Sequence, residues 1–418
     1  MSNDDPILAH LTRDAASTDA STDATAITDF IYMSLGVTNS YLVTTAGRSV
    51  IVNAGSEQEA VRAHLPRYRR IDPNPPIYII TTQSHRDQMG GVPVLVGPDT
   101  SWIAHETSTT WRADVRMLHD LYLRRRNVLW SEILDGVVDL GNRAGPNREP
   151  DILIGDSWAF EVGGRRFELL STPGGETTDS IVVWLPDDGV VFTSNLFGPV
   201  FGSMPNLATL RGDKLRSAKQ FISSIERVRS LKPELLITGH GEPIRGQGAI
   251  GEHLLKIRDA IQHIHDRTVE GMVAGKHLAT LMSEVALPPE LAIPQSHGKT
   301  SWNVRSIWHE YIGWFLMEST TELYPVPAAS VSPDVVEAAG AEELVQRGKG
   351  HLESGRPVEA LHLTDMVLDV LPLHRGALST RRGALEKLLA HSAGENLSEV
   401  MWLRSQIVQT DKDLEDAQ

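Results

Sequence analysis

Apolar positions in the first two thirds of the chain fall in short, β-branched runs. "FIYMSL", "NSYLVTTAG" and "RSVIVNAG" are separated by turn-forming Gly and Asn, which predicts a meander of antiparallel strands. "EQEAVRAHLPRYRR" then changes to the period of an amphipathic helix, and "PIYIITT" and "SWIAHE" return to strand. A second β-rich set follows in "DSWAFEVGGRRFELLSTPGG" and "DSIVVWLPDDGVVFTSN", where "VGGRR" and "PDDG" read as hairpin turns. "LKPELLITGHGEP" adds a buried strand that ends at a loop bearing His240, and helices fill residues 214–231 and 247–274. Strands and helices interleaved in two successive halves predict an α/β fold: two mostly antiparallel sheets packed together, with helices outside.

The pattern changes at Ser332. "SPDVVEAAGAEELVQRGKGHLESG" predicts one helix with Ser332 at its N-cap, Pro333 in its first turn and Gly355 at its end. "RPVEALHLTDMVLDVLP", "HRGALSTRRGALEKLLAHSAG" and a stretch near 396–409 predict three more, joined by Gly or Pro, in an all-α helical hairpin module with tetratricopeptide-like spacing. The other end differs again: "DAASTDASTDATA" is small, acidic and too polar to offset its ordering entropy. The chain therefore divides into a flexible arm over 1–26, an α/β domain over 27–325 and a helical domain over 326–418, the Pro-rich "LYPVPAASVSP" acting as linker.

Composition narrows the chemistry. A formal charge of −15 over 418 residues argues against a broad nucleic-acid or anionic-membrane surface. No apolar run approaches the ~18 residues of a membrane span, and the start lacks the features of a signal peptide, so the expectation is a soluble cytoplasmic protein. There are no cysteines. Any metal must be held by His, carboxylates, amides and water.

"IYIITTQSHRDQMGGVPVL" ends a buried strand in a loop whose alternating side chains gather Gln83, His85, Asp87 and Gln88 around one point. "STPGGETTDS", "VVFTSN" and "LLITGHGEP" then present Glu176, Asn195 and His240, also at strand ends, where rigid elements can aim ligands at one site. In this order the residues resemble the metallo-β-lactamase superfamily, whose motif is Thr-His-x-His-x-Asp-His-x-Gly-Gly: Thr82, His85, Asp87, Gly90 and Gly91 match it, while Gln83 and Gln88 depart from it. "NLATLRGDKLR", "SWNVRSIWHEYIGWF" and the helical module narrow the resemblance to the alkyl sulfatase branch, and imply an αββα sandwich followed by a dimerisation domain. The resemblance assigns Gln83, His85 and Glu176 to one metal, Asp87, Gln88 and His240 to a second, and Asn195 to the bridge.

Each half keeps one imidazole and one carboxylate and loses one imidazole to an amide, a neutral and harder donor. One ion, two ions or none all remain open, with zinc, iron or manganese as candidates. With a metal bound, the resemblance implies hydrolysis of a sulfate-ester or related bond in a small, anionic, amphiphilic substrate by metal-activated water. Arg211 and Arg216 are the candidate sulfate contacts, since a guanidinium offers a bidentate fork to an oxyanion. Asp87 and His309 are candidate catalytic groups, although the apolar, aromatic stretch around His309 favours a packing histidine over a catalytic acid. Two alternatives stand beside hydrolysis: an iron-dependent oxygenase or lyase, and a ligand-binding pseudoenzyme. A homodimer through the helical domain is expected.

Overall fold

Gly163 and Gly164, at φ 54° and 79°, make the tight turn between β8 (Ser157–Val162) and β9 (Arg165–Ser171), a left-handed pair that suits a two-residue hairpin. "PDDG" turns β10 (Ile181–Leu185) into β11 (Val190–Ser194) through a longer loop in which Gly189 takes the positive φ, 65°, with Leu185 paired to Val190. This computed structural model describes residues 22–134 and 145–417. With β12 (Leu235–Thr238) and β13 (Ile244–Arg245), these strands form a six-stranded sheet in the order β13-β12-β11-β10-β9-β8. A seven-stranded sheet runs in sequence order through β1 (Thr25–Ala26), β2 (Ile31–Ser34), β3 (Ser40–Thr44), β4 (Ser49–Val52), β5 (Tyr78–Ile80), β6 (Ser101–His105) and β7 (Ile152–Ile154).

The expectation of mostly antiparallel sheets holds for the second sheet, where only the β11–β12 pair is parallel, and for β1 to β4 of the first; from β4 onward the first sheet is parallel instead. Parallel neighbours need a crossover. The helical stretch 57–71 supplies one, opened by a Ser56–Glu59 capping box and widened to a π-turn at Ala60–His64. Residues 22–26, expected to belong to the flexible arm, are held: β1 pairs with β2, and Thr22 accepts hydrogen bonds from Arg67. The remainder of that expected arm lies outside the described residues.

Alternation along the strands makes the layers. Val50 and Val52 point between the sheets, with Ile80, Ile103, Phe167, Val183, Phe192 and Ile237, whereas Ile51 points outward to Ala60, Tyr68, Val92 and Trp102. Full burial of each large apolar side chain is worth roughly 1.5–3 kcal/mol, so a one-residue slip of β4 would forfeit several such terms at once. On the far face of the second sheet lie Ala218–Ser230, which buries Phe221 and Ile225, and Gln247–Val273, which buries Ile250 and Leu254. The result is a helix–sheet–sheet–helix sandwich.

Among the described residues, the chain separates into two compact units, one running to Arg126 and from Ile133 to Tyr311, the other comprising Asn127–Glu132 and Ile312–Gln418. In the second, the helix predicted from Ser332 is broken at Gly340, whose φ of 83° ends Ser332–Ala339 before Ala341–Glu353 begins. Ser332 sits inside the first turn, and its hydroxyl donates to Asp369 at 2.8 Å instead of capping. Pro357–Val370, Arg375–His391 and Leu397–Asp416 complete the unit, and Leu344, Val345, Val367 and Ala377 pack together inside it. No described helix is long and apolar enough to cross a membrane.

Candidate active site

Strand ends fix where the site can be. The loops after β5 of one sheet, carrying Gln83 to Gln88, and after β9, β11 and β12 of the other, carrying Glu176, Asn195 and His240, hold the candidate residues; β5, β11 and β12 belong to the parallel pairs, whose strand ends are the usual place for a site. Asn53, just past β4 at φ 61°, ties the sheets together: its Nδ2 donates to Ser194 Oγ at 2.9 Å, and its Oδ1 accepts from Thr82 N and Oγ1 at 3.0 and 2.9 Å. Ile181 N donates to Thr82 O at 2.8 Å. Thr82 thus acts as a pin between sheets. On the other side, Asn39 N donates to Gly239 O at 2.7 Å and Asn39 Nδ2 to Gly241 O at 3.2 Å, which clasps the loop of His240.

The Gln83, His85 and Glu176 half is internally paired. The Gln83 amide lies 2.6 Å from His85 Nδ1. Glu176, buried at 4% exposure, has Arg216 Nη2 3.1 Å from Oε2, His297 Nε2 3.2 Å from Oε1, and His85 Nδ1 3.8 Å from Oε2. The opposite nitrogen of His85 faces Asp213 Oδ2 at 3.6 Å, and Asp213 also lies 3.7 Å from both Arg211 and Arg216. Burial alone would raise the Glu176 carboxyl; the Arg216 charge, the His297 hydrogen bond and the His85 charge override it and hold the group below the ordinary carboxylate range. Asp213 follows the same logic: burial raises it, and His85, Arg211 and Arg216 bring it below its usual value.

The Asp87, Gln88, Asn195 and His240 half is different. Asp87 accepts a short hydrogen bond from Thr38 Oγ1. Gln88 is fully buried, yet neither its Oε1 nor its Nε2 has a hydrogen-bond partner. Asn195 Oδ1 is likewise buried and orphaned. Gly239 makes room for it, since a Cβ there would come within 2.1 Å of Asn195 Oδ1. Orphaned buried amides cost about 1–3 kcal/mol each, so a fold retains them where something polar is meant to meet them.

These arrangements answer differently to a divalent ion. Among the described residues, no group of three or more His, Asp or Glu side chains stands in metal-binding geometry. The Asp87 half nonetheless offers a carboxylate, the His240 imidazole and unsatisfied amide oxygens, a donor set that suits one hard dication. The Glu176 half does not fit. Arg216 Nη2 already stands 3.1 Å from the Glu176 oxygen a dication would need, and His297 Nε2 3.2 Å from the other, so a second cation there would be repelled by the guanidinium.

Of the other expected residues, Arg211 remains 38% exposed and paired with Asp213. Arg216, read from sequence as a sulfate contact, is only 2% exposed and is spent on Glu176 and on Asn206 O, to which its Nη1 donates at 2.6 Å. His309 sits half-buried on Thr300–Ile312 beside buried Trp308. The histidine of that region whose ring meets Glu176 is His297. Asp213 was missed altogether, although "RGDKLR" places a carboxylate between the two arginines.

The Metallo-beta-lactamase superfamily profile matches residues 33–240, and the Alkyl sulfatase dimerisation profile matches residues 278–405. The chain carries a metallo-β-lactamase domain and an alkyl sulfatase dimerisation domain. It is 26% identical over 343 residues to a linear primary-alkylsulfatase from a Pseudomonas species, covering 72% of this chain and 60% of that one. The alkyl/aryl-sulfatase BDS1 of Saccharomyces cerevisiae is 26% identical over 391 residues, covering 87% and 60%. The chain thus spans about 60% of the length of these curated relatives. The structure of the stereoselective inverting sec-alkylsulfatase Pisa1 from Pseudomonas superposes with a TM-score of 0.79 at 22% identity, covering 96% of this chain and 67% of the other, which shows a shared fold.

Proposed function

We propose that this chain is a hydrolase of the alkyl sulfatase type, acting on a sulfate ester or related ester of a small amphiphile. The observation that carries the reading is the set of orphaned donors beside Asp87 and His240 on strand-end loops of a metallo-β-lactamase fold; the alkylsulfatase relatives support the substrate class. Asp87, Gln88, Asn195 and His240 would hold a divalent ion. Such an ion lowers the pKa of bound water towards neutrality and polarises the ester. Arg211, partly exposed beside the network, is the guanidinium free in geometry to fork onto a sulfate, with Asp213 holding it in orientation. Release of inorganic sulfate from a medium-chain alkyl sulfate, after loading with manganese, iron or zinc in turn, tests the reading. Absence of turnover with all three ions would reject it.

The self-neutralised Glu176 network favours a second reading, a binding protein that retains the ligand pocket without turnover. That reading predicts calorimetric binding of an alkyl sulfate without sulfate release. The dimerisation-domain match further supports a homodimer. The exposed Trp314, Met317 and Tyr324 leading into the helices offer apolar surface for it. Sedimentation at dilute concentration is expected to give the dimer mass; monomer throughout would remove the proposal.

A further inference from the structure

Both carboxylate oxygens of Glu176 are taken by donors of this chain, Oε2 by Arg216 and Oε1 by His297, and both ring nitrogens of His85 are directed at protein groups, Gln83 and Asp213. None of these four partners is among the residues that the family resemblance assigns as ligands, save Gln83, where an amide stands in place of an imidazole. Arg216 is itself anchored from behind by Asn206 O at 2.6 Å and Gly175 O at 3.4 Å, so its guanidinium is fixed on Glu176. Two carboxylates, Glu176 and Asp213, face two guanidiniums, Arg216 and Arg211, and the charge balances without an ion.

We infer that the Arg216 guanidinium, assisted by His297, stands in for the first metal ion of the two-ion centre, so that Gln83, His85 and Glu176 form a closed charge network that takes no metal. Under the function proposed above, on which only the total count rests, the centre holds a single ion in the Asp87 half. Asp213 is the residue that makes the exchange electrostatically complete. It supplies the second carboxylate that a lone Glu176 could not offer to Arg211, Arg216 and the facing edge of His85. The lost imidazole at Gln83 is then part of one change: an amide can hydrogen-bond His85 without recruiting a cation.

The test is metal stoichiometry, read by mass spectrometry after equilibration with manganese and, separately, zinc. The intact protein is expected to retain one ion per chain; two ions would overturn the inference. With one ion bound, Glu176→Gln should leave the count unchanged and Asp87→Asn should abolish it, while loss of the ion on Glu176→Gln would overturn the closed network. With no ion bound, the ion of the proposed function falls, and the network is judged on Gln83→His against Gln83→His with Arg216→Gln. Gain of an ion only in the double variant supports Arg216 as the occupant, whereas gain in the single variant, or in neither, overturns it.

Discussion

The two halves of the proposed centre each carry a glutamine where the family motif has histidine, and their surroundings differ. Around Glu176, charge pairing within the chain gives each carboxylate oxygen a partner, even though His85 Nε2 and Arg216 Nε and Nη2 make no hydrogen bond. Around Asp87, the buried amides of Gln88 and Asn195 still lack one. The difference lies in what the surrounding elements supply: the segment 206–216 and the loop of His297 bring cations to Glu176, whereas the segments beside Gln88 bring backbone and small side chains. A ligand substitution therefore has no fixed meaning until the neighbouring charges are known.

The largest effect should come from emptying the closed half. Arg216→Leu deprives the buried Glu176 carboxylate of its guanidinium, while Asp213 keeps Arg211 and His85, and removal of one partner from such a network costs about 3–5 kcal/mol. Urea unfolding should reveal that loss, with pH 5 less damaging relative to wild type than pH 8, because the stranded carboxyl regains neutrality as pH falls. A cost below about 1 kcal/mol would show that the network is loosely held and would undo the contrast between the halves.

A smaller effect probes what supports the open half. Behind the Thr38 loop, His64 is fully buried, with Nδ1 2.7 Å from Ser34 Oγ, and burial first and the Arg67 charge second push its pKa down to about 3. The unfolded chain takes up this proton near the ordinary value of 6.5, so the folded state loses stability as pH falls below about 6.5 towards 3. At roughly 1.4 kcal/mol per unit, about 3 kcal/mol is lost by pH 4. Thermal unfolding of His64→Gln should show a flatter pH dependence across that interval, and equal slopes would refute the assignment. Thr38→Val removes the hydroxyl that donates to Asp87 and should cost about 1–2 kcal/mol in urea unfolding, an effect that added manganese enlarges if Thr38 positions Asp87 for an ion.

Much of the frame was legible because it depends on local rules. The turns at "VGGRR" and "PDDG", the alternation of Val50, Ile51 and Val52, and the strand-end position of every candidate ligand follow from period and turn chemistry. The parallel half of the first sheet was hidden, since three-residue runs such as Tyr78–Ile80 carry no signal for direction. The break at Gly340 could have been read, but a glycine inside a helical period is ambiguous on its own. The pairing of Glu176 with His297 and Arg216 joins segments 121 and 40 residues apart in the chain, and no periodicity reports it. Asp213 had a usable signal: an acidic residue between two arginines proposed to bind an anion competes with that anion and needs a reason to be there.

That competition gives the smallest effect on stability and the sharpest on binding. Arg211 is over a third exposed and 3.7 Å from Asp213, so Arg211→Ala should change unfolding free energy by less than about 1 kcal/mol, as exposed ion pairs do. The same change removes the one guanidinium of the network that can turn toward an incoming sulfate without leaving a buried partner. Affinity for an alkyl sulfate, measured by calorimetry, should fall at least tenfold, about 1.4 kcal/mol. Asp213→Asn separates the two arginines further, since it frees Arg211 from its partner yet leaves Arg216 on Glu176. Tighter sulfate binding in Asp213→Asn and weaker binding in Arg211→Ala would assign anion capture to Arg211 alone; equal losses in both would mean that Arg211 acts only as Asp213's structural partner.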